Sequence, residues 1–248
     1  MTAPWAVLFD LDGTLVDTEP LLHDALSAVL GAAGVPASAL HVDELRGRGV
    51  AENLSRLSAL VRPSMAADEL YARVSARLLD RLRAGVAPLP GAVGLLGTLR
   101  RAGVPRALVS SSYRAMVDAV LPSLGPAGFA VTLAGDEVRR PKPDPDPYRT
   151  AAAAIGFEPG RCVVIEDSAA GIRSALAAGC LTVSVTPTRE PVALAVPDLT
   201  GLTVDRLAGL VRRTPGRGPR KAGDIVDSPR PPRAERDVAV AERPRGRA

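Results

Sequence analysis

Aromatic side chains are scarce in this chain, at 3% of its 248 residues, with one Trp, three Tyr and three Phe. Stacking platforms for bases or sugar rings are therefore not expected. A core has to be built mainly from Leu, Val and Ala, within an apolar content of 46%. Cysteine is equally sparse. Cys162 and Cys180 cannot form a disulfide framework and lack metal-ligand spacing. They read as small core or turn residues of a reduced, cytoplasmic protein. Long apolar runs are missing too, since no stretch reaches the ~18 residues of a membrane-spanning helix. The opening MTAPWAVLFDLDG has no basic start and meets acids before an apolar run can develop, which argues against a signal peptide. A membrane is not expected as a partner.

An excess of charge is also absent from most of the chain, despite a pI near 9.6. From Thr214 to Ala248 there are nine Lys/Arg and five Asp/Glu, a net of +4 that equals the net of the whole chain. Residues 1–213 are thus close to neutral, and nucleic acid is not expected as a partner of the folded part. Residues 214–248 are rich in Pro, Gly and Arg and poor in large apolar residues. Such a segment buries too little surface to offset its ordering entropy, so a disordered tail is expected there.

What is present is a pattern of strands and helices in alternation. Trp5 to Phe9 is a continuous apolar run, suited to a strand buried on both faces. Helical spacing follows from Glu19 to Ala33, stopped by Gly34-Val35-Pro36, and again over about 50–61 and 66–83. After the Pro88-Leu89-Pro90-Gly91 turn, helices are expected near 91–102, 113–121, 145–155 and 168–178. Strands are expected at VPRALV (104–109), FAVTLA (129–134), CVVIE (162–166) and LTVSV (181–185). This alternation predicts an α/β fold, a Rossmann-like parallel sheet with right-handed crossovers, interrupted after its first strand by a helical insert. The expected division is a core of residues 1–16 and 86–213, a helical cap of 17–85 and the tail of 214–248. The sequence does not fix an oligomeric state, and a monomer is the default expectation.

In an open parallel sheet the ligand crevice lies beyond the carboxyl ends of the strands. The residues found there are Asp10-Leu11-Asp12, Ser110-Ser111-Ser112, Lys142 and Glu166-Asp167. Carboxylates gathered at one crevice repel by about 4 kcal/mol per pair at ~4 Å and an effective dielectric near 20. A hard divalent cation resolves that repulsion, and oxygen-only ligands favour Mg²⁺ over zinc. Lys142, fixed between Pro141 and Pro143, can meet an anion as a point charge. Ser110 offers a hydroxyl and a backbone N–H. Carboxylates, Mg²⁺, Lys and Ser together suit phosphoryl transfer. Asp17 and Glu19 read differently, as acids at the start of a helix with Thr18 as N-cap and Pro20 in the first turn.

Four segments, DLDGTLVDTEP, VSSS, RPKPDPDPY and VVIEDSAAGIRSALAAG, resemble the ordered motifs of the haloacid dehalogenase superfamily, in its phosphatase-type members with a helical cap. The resemblance covers nearly all of residues 5–213. It implies Asp10 as a nucleophile that forms an aspartyl-phosphate and Asp12 as general acid/base. It implies Ser110, Ser111 and Lys142 around the phosphoryl oxygens, with Thr14 supporting the loop. Mg²⁺ would be held by Asp10, the backbone carbonyl of Asp12 and Asp167, with Glu166 acting directly or through water. The implied substrate is a small phosphorylated metabolite, such as a sugar phosphate or a phosphoglycolate-like compound. Dehalogenase members lack an acid at the position of Asp12. The alternative is a sugar phosphomutase of the β-phosphoglucomutase type, but those enzymes carry His and Arg where this chain has Leu22 and Val50. Arg46 or Arg48, in the cap segment ELRGRGVAENL, are candidates for reading an acidic substrate.

Overall fold

The computed structural model describes residues 3–35, 57–58 and 65–213. The expected helix over 50–61 lies largely outside them, and the expected tail of 214–248 lies wholly outside. Six strands form one sheet: β1 (Ala6–Phe9), β2 (Arg106–Val109), β3 (Val131–Leu133), β4 (Cys162–Glu166), β5 (Leu181–Ser184) and β6 (Leu194–Ala195). The spatial order is β3-β2-β1-β4-β5-β6 and every pairing is parallel. The described helices are α1 (Glu19–Ala32), α2 (Ala67–Arg83), α3 (Ala92–Arg101), α4 (Arg114–Val120), α5 (Asp146–Ala154), α6 (Ala169–Ala178) and α7 (Val204–Arg213).

Alternation along the strands divides the core in two. Val7, Phe9, Leu108, Val163 and Ile165 face α3, α4 and α7, which supply Leu95, Leu99, Val117, Leu207 and Leu210. Ala6, Leu8, Ala107, Val109 and Val164 face α5 and α6, which supply Tyr148, Ala151, Ala152 and Ala175. Small side chains on α5 and α6 let those helices lie close to the sheet. Both cysteines are buried in this second layer, and burial pushes the Cys162 thiol up to about 12.

Two details depart from the sequence reading. The strand expected from residue 104 begins at Arg106, because the Val104 N–H still closes the preceding helix onto Leu99 O (3.0 Å). Arg106 itself is buried, with its guanidinium on the carbonyls of Val104, Ala127 and Gly128. Beyond residue 185 the structure adds β6 and α7, for which no expectation was drawn. β6 has only two residues, too short for a periodic signal.

Helices α1 and α2 follow β1 in sequence and pack on each other, with Asp24 of α1 against Arg81 of α2 at 2.8 Å. The two chain segments that connect them to the sheet run side by side. Leu89 N donates to Leu15 O at 2.9 Å and Asp17 N to Ala87 O at 3.2 Å. α2 reaches the sheet domain through an edge-to-face contact of Tyr71 with Tyr113. No helix among the described residues is long and apolar enough to cross a membrane.

Candidate active site

The chain builds β1, β2 and β3 on one side, then crosses to build β4, β5 and β6 on the other. Its switch point therefore lies between β1 and β4, where an open parallel sheet leaves a crevice beyond the strand ends. Asp10 follows β1 and Glu166-Asp167 closes β4, so the carboxylates flank that point. The Asp10 N–H donates to Ile165 O at 3.0 Å, tying the two strand ends together.

Lys142 is the centre of the constellation. Its ammonium donates to Asp10 Oδ1 at 2.6 Å, Glu166 Oε1 at 2.8 Å and Val109 O at 2.9 Å. All three protons are thereby used. The lysine side chain is 3% exposed, Asp10's 9% and Glu166's 0%, so this is a buried ion triad rather than a surface bridge. Burial works against the charged lysine, but the Asp10 and Glu166 carboxylates outweigh it and hold its pKa above the usual lysine range. Asp10 is pushed well upward by burial, with Glu166, Asp167 and Asp12 adding to the rise and Lys142 opposing it. Asp167 is pushed up to about 7, by burial and then by the Glu166 charge.

The turn after β1 is set by Gly13, whose φ of +83° is open to glycine at little cost. A Cβ at that position would also collide with the Asp167 carboxylate. The buried Thr14 then donates its hydroxyl to Asp167 Oδ1 at 3.1 Å. Glu166 lies over the first turn of α6, where a Cβ on Gly171 would fall on its carboxylate. Its Oε2 accepts from Asp167 N, Ser168 N and Ser168 Oγ, each at 3.0 Å. Ser168 also caps α6, accepting from Gly171 N.

Asp12 sits apart from the ion triad, among hydroxyls. Thr18 donates to its Oδ1 at 2.8 Å, and Ser112 and Ser110 donate to its Oδ2 at 2.8 and 3.2 Å. This corrects the expectation for Thr18. It occupies the N-cap position of α1, but its side chain makes no capping bond, because the hydroxyl is engaged by Asp12. Ser111 is exposed. Its backbone carbonyl packs against Gly135 so closely that a Cβ there would collide. Arg46 and Arg48 lie outside the described residues.

Asp10, Asp12, Thr14, Ser110, Lys142, Glu166 and Asp167 are thus brought into two adjoining hydrogen-bonded groups at one end of the sheet. Sequence reasoning placed Ser112 at the crevice without a partner and gave Thr18, Ser168 and Tyr148 no part in the site. Ser168 carried a signal, as a Ser three residues before Gly171 at a helix start. Tyr148 ends the segment RPKPDPDPY, but nothing in that segment announces the partner of its hydroxyl.

Asp10, Glu166 and Asp167 each offer an oxygen such that the three atoms lie within 4.8 Å of one another. One oxygen of Asp10 and one of Asp167 have no hydrogen-bond partner among the described residues. An oxygen-only donor set with an uncompensated negative charge fits a hard cation such as Mg²⁺.

Residues 6–179 match the model of the haloacid dehalogenase-like hydrolase family. The chain is 36% identical over 195 residues to the validoxylamine A 7'-phosphate phosphatase of Streptomyces hygroscopicus subsp. limoneus, covering 77% of this chain and 90% of that protein. It is 34% identical over 209 residues to hexitol phosphatase A of Escherichia coli, covering 80% and 93%. Among solved structures, CbbY from Rhodobacter sphaeroides in complex with xylulose-1,5-bisphosphate superposes with a TM-score of 0.70. The identity there is 27%, with coverage of 81% and 96%.

Proposed function

We propose that this chain, which belongs to the haloacid dehalogenase-like hydrolases and is a phosphoric monoester hydrolase, is a Mg²⁺-dependent phosphatase acting through an aspartyl-phosphate on a small phosphorylated metabolite. The observation that carries the reading is Lys142, buried between Asp10 and Glu166 at the switch point of the sheet. A lysine there neutralises charge at the nucleophile and would exchange one of its present contacts for a phosphoryl oxygen.

In this mechanism a carboxylate oxygen of Asp10 attacks phosphorus and the leaving alkoxide takes a proton from Asp12. Asp12 then removes a proton from water, which attacks the acyl phosphate, breaks the P–O bond to Asp10 and releases inorganic phosphate. A covalent intermediate divides one difficult displacement into two steps. Lys142, Ser110 and Ser111 would hold the phosphoryl oxygens, with Thr14 fixing the loop beneath them. Asp10, the Asp12 carbonyl and Asp167 would hold Mg²⁺, which would supply charge neutralisation for the phosphoryl group, while Glu166, already engaged by five donors, would act on the ion only at longer range. Helices α1 and α2 belong, in this reading, to a cap of residues 17–85 that closes over the crevice and excludes water. The paired segments 15–17 and 87–89 are its hinge.

The substrate reading is a sugar or polyol phosphate, or a phosphoglycolate-like compound. Relatives named for hexitol phosphates, validoxylamine A 7'-phosphate and phosphoglycolate support that range. The two unpaired buried cysteines support a reducing, cytoplasmic setting. The mutase alternative gains nothing from Leu22, which packs against the hydrophobic core. A purified-protein screen over phosphometabolites, with and without Mg²⁺, tests the proposal. Turnover should require the metal and vanish in Asp10→Asn. Retained hydrolysis in that variant overturns the mechanism, and glucose-6-phosphate formed from β-glucose-1-phosphate faster than phosphate release favours the mutase.

A further inference from the structure

Tyr148 has no part in the mechanism above, yet it touches both members of the central ion pair. It lies in the first turn of α5 and is fully buried. Its hydroxyl donates to Glu166 Oε1 at 2.8 Å, and the Lys142 ammonium stands 5.0 Å from the centroid of its ring. A buried tyrosine hydroxyl needs a partner, and a nearby carbonyl would serve that need. Here the partner is the same carboxylate oxygen that receives Lys142, while the ring offers its negative face to the cation.

We propose that Tyr148 is a positioning residue that clamps the Lys142–Glu166 pair, and through it the ammonium that meets the transferred phosphoryl group. The proposal rests on the phosphatase reading. Its basis is the complete engagement of Glu166. Oε1 accepts from Lys142 and Tyr148, and Oε2 accepts from Asp167 N, Ser168 N and Ser168 Oγ. A carboxylate has about four lone-pair sites, so five donors leave it no free direction to turn. Lys142 is equally engaged, with its third proton on Val109 O. Without the tyrosine hydroxyl, Oε1 keeps only the lysine as donor, and carboxylate and ammonium can shift together away from Asp10. Angstrom-scale misplacement of a charge-stabilising group costs catalysis steeply.

The test uses Tyr148→Phe, which keeps the ring and deletes the hydroxyl, alongside Glu166→Gln and the double variant. In saturating Mg²⁺, Tyr148→Phe should lower kcat for a phosphomonoester by about tenfold with KM changed less than about twofold. Orthovanadate affinity, read by calorimetry, should fall by a similar factor. In the Glu166→Gln background, adding Tyr148→Phe should change kcat by less than about twofold, because the hydroxyl acts through that carboxylate. Wild-type kcat and orthovanadate affinity in Tyr148→Phe would overturn the clamp. So would a tenfold loss that multiplies in full onto Glu166→Gln. Tyr148→Leu, which also removes the ring, should lose more than Tyr148→Phe. If it does not fold, the phenylalanine variant still decides the matter. Wild-type protein without phosphatase activity sinks the parent reading together with the clamp. An active wild type with an unchanged phenylalanine variant sinks the clamp alone.

Discussion

Replacing Gly171 by Ala pits a general rule of helix stability against the local geometry of the site, and the two have opposite signs. Gly171 lies inside α6, where alanine is ordinarily the better residue by about 0.8–1 kcal/mol. Its added Cβ, however, would meet Oε1, Cδ and Oε2 of Glu166 at distances no real pair of atoms shares. The carboxylate is fully buried and cannot step aside into solvent. Displacing it strips Lys142 of one of its two anionic partners. It also leaves Tyr148 OH and the N–H groups of Asp167 and Ser168 without their acceptor. Breaking a buried ion pair of this kind costs about 3–5 kcal/mol. Setting the helix gain against it leaves a net loss of about 2–4 kcal/mol, or roughly 6–12 °C in Tm for a domain of this size. Gly94, exposed in α3 with open space around its notional Cβ, is the control. Gly94→Ala should raise Tm by about 2–4 °C. Urea and thermal denaturation of the two variants against wild type decide the question. A Gly171→Ala protein as stable as wild type would refute the placement of Glu166 over α6.

The acidity of Asp167 makes a claim about metal binding. With its carboxyl raised to about 7, a cation must displace a proton at lower pH, so Mg²⁺ affinity should weaken about tenfold by pH 6 relative to pH 8. The sign for the metal-free fold is opposite. A carboxyl raised above its unfolded value removes stability as pH climbs from about 4 to 7, so the Tm gain from Mg²⁺ should grow over the same range. A gain independent of pH from 5.5 to 8 would refute this. Arg106→Met leaves the carbonyls of Val104, Ala127 and Gly128 without their donor. It should cost about 2–4 kcal/mol, read as a lower urea midpoint with activity per folded molecule unchanged. An unchanged midpoint would show that the buried guanidinium does not hold the 125–128 loop.

Much of the architecture was legible because each feature had a local cause. β1 and β4 are uninterrupted apolar runs, and a strand buried on both faces requires that composition. Acids following directly on such runs fall at the crevice by topology alone, which is how Asp10, Asp12 and Asp167 were found. What escaped depended on contacts distant in sequence. The Thr18 hydroxyl was read as a cap because a threonine before Pro20 usually is one, but Asp12 lies closer and competes for it. Ser112, already placed at the crevice, and Tyr148 reach their partners across 100 and 18 residues, and no spacing rule announces which partner either finds. Arg106 stands in a buried strand and is accommodated there by three carbonyls, two of them from the 125–128 loop.

The electrostatics of the site explain why these distant contacts are needed. Three carboxylates end within one small volume, and among the described residues Lys142 is the single buried cation between them. Lys142 compensates Asp10 and Glu166 together, which leaves Asp167 with the Thr14 hydroxyl as its one side-chain donor among the described residues. Burial first, and the Glu166 charge second, raise Asp167 to about 7. A second lysine in place of the shortfall would balance the charges and favour the fold, but it would also occupy the face on which a substrate phosphate must arrive. In the proposed mechanism, leaving the deficit to a bound cation would keep that face open and make substrate, metal and carboxylates mutually stabilising. The cost is a site that needs exact support while it is empty. That support comes from the five donors on Glu166, the ring under Lys142 and the hydroxyls around Asp12. Neutral donors dominate it, because they fix carboxylates in place without cancelling the charge that would recruit the proposed metal.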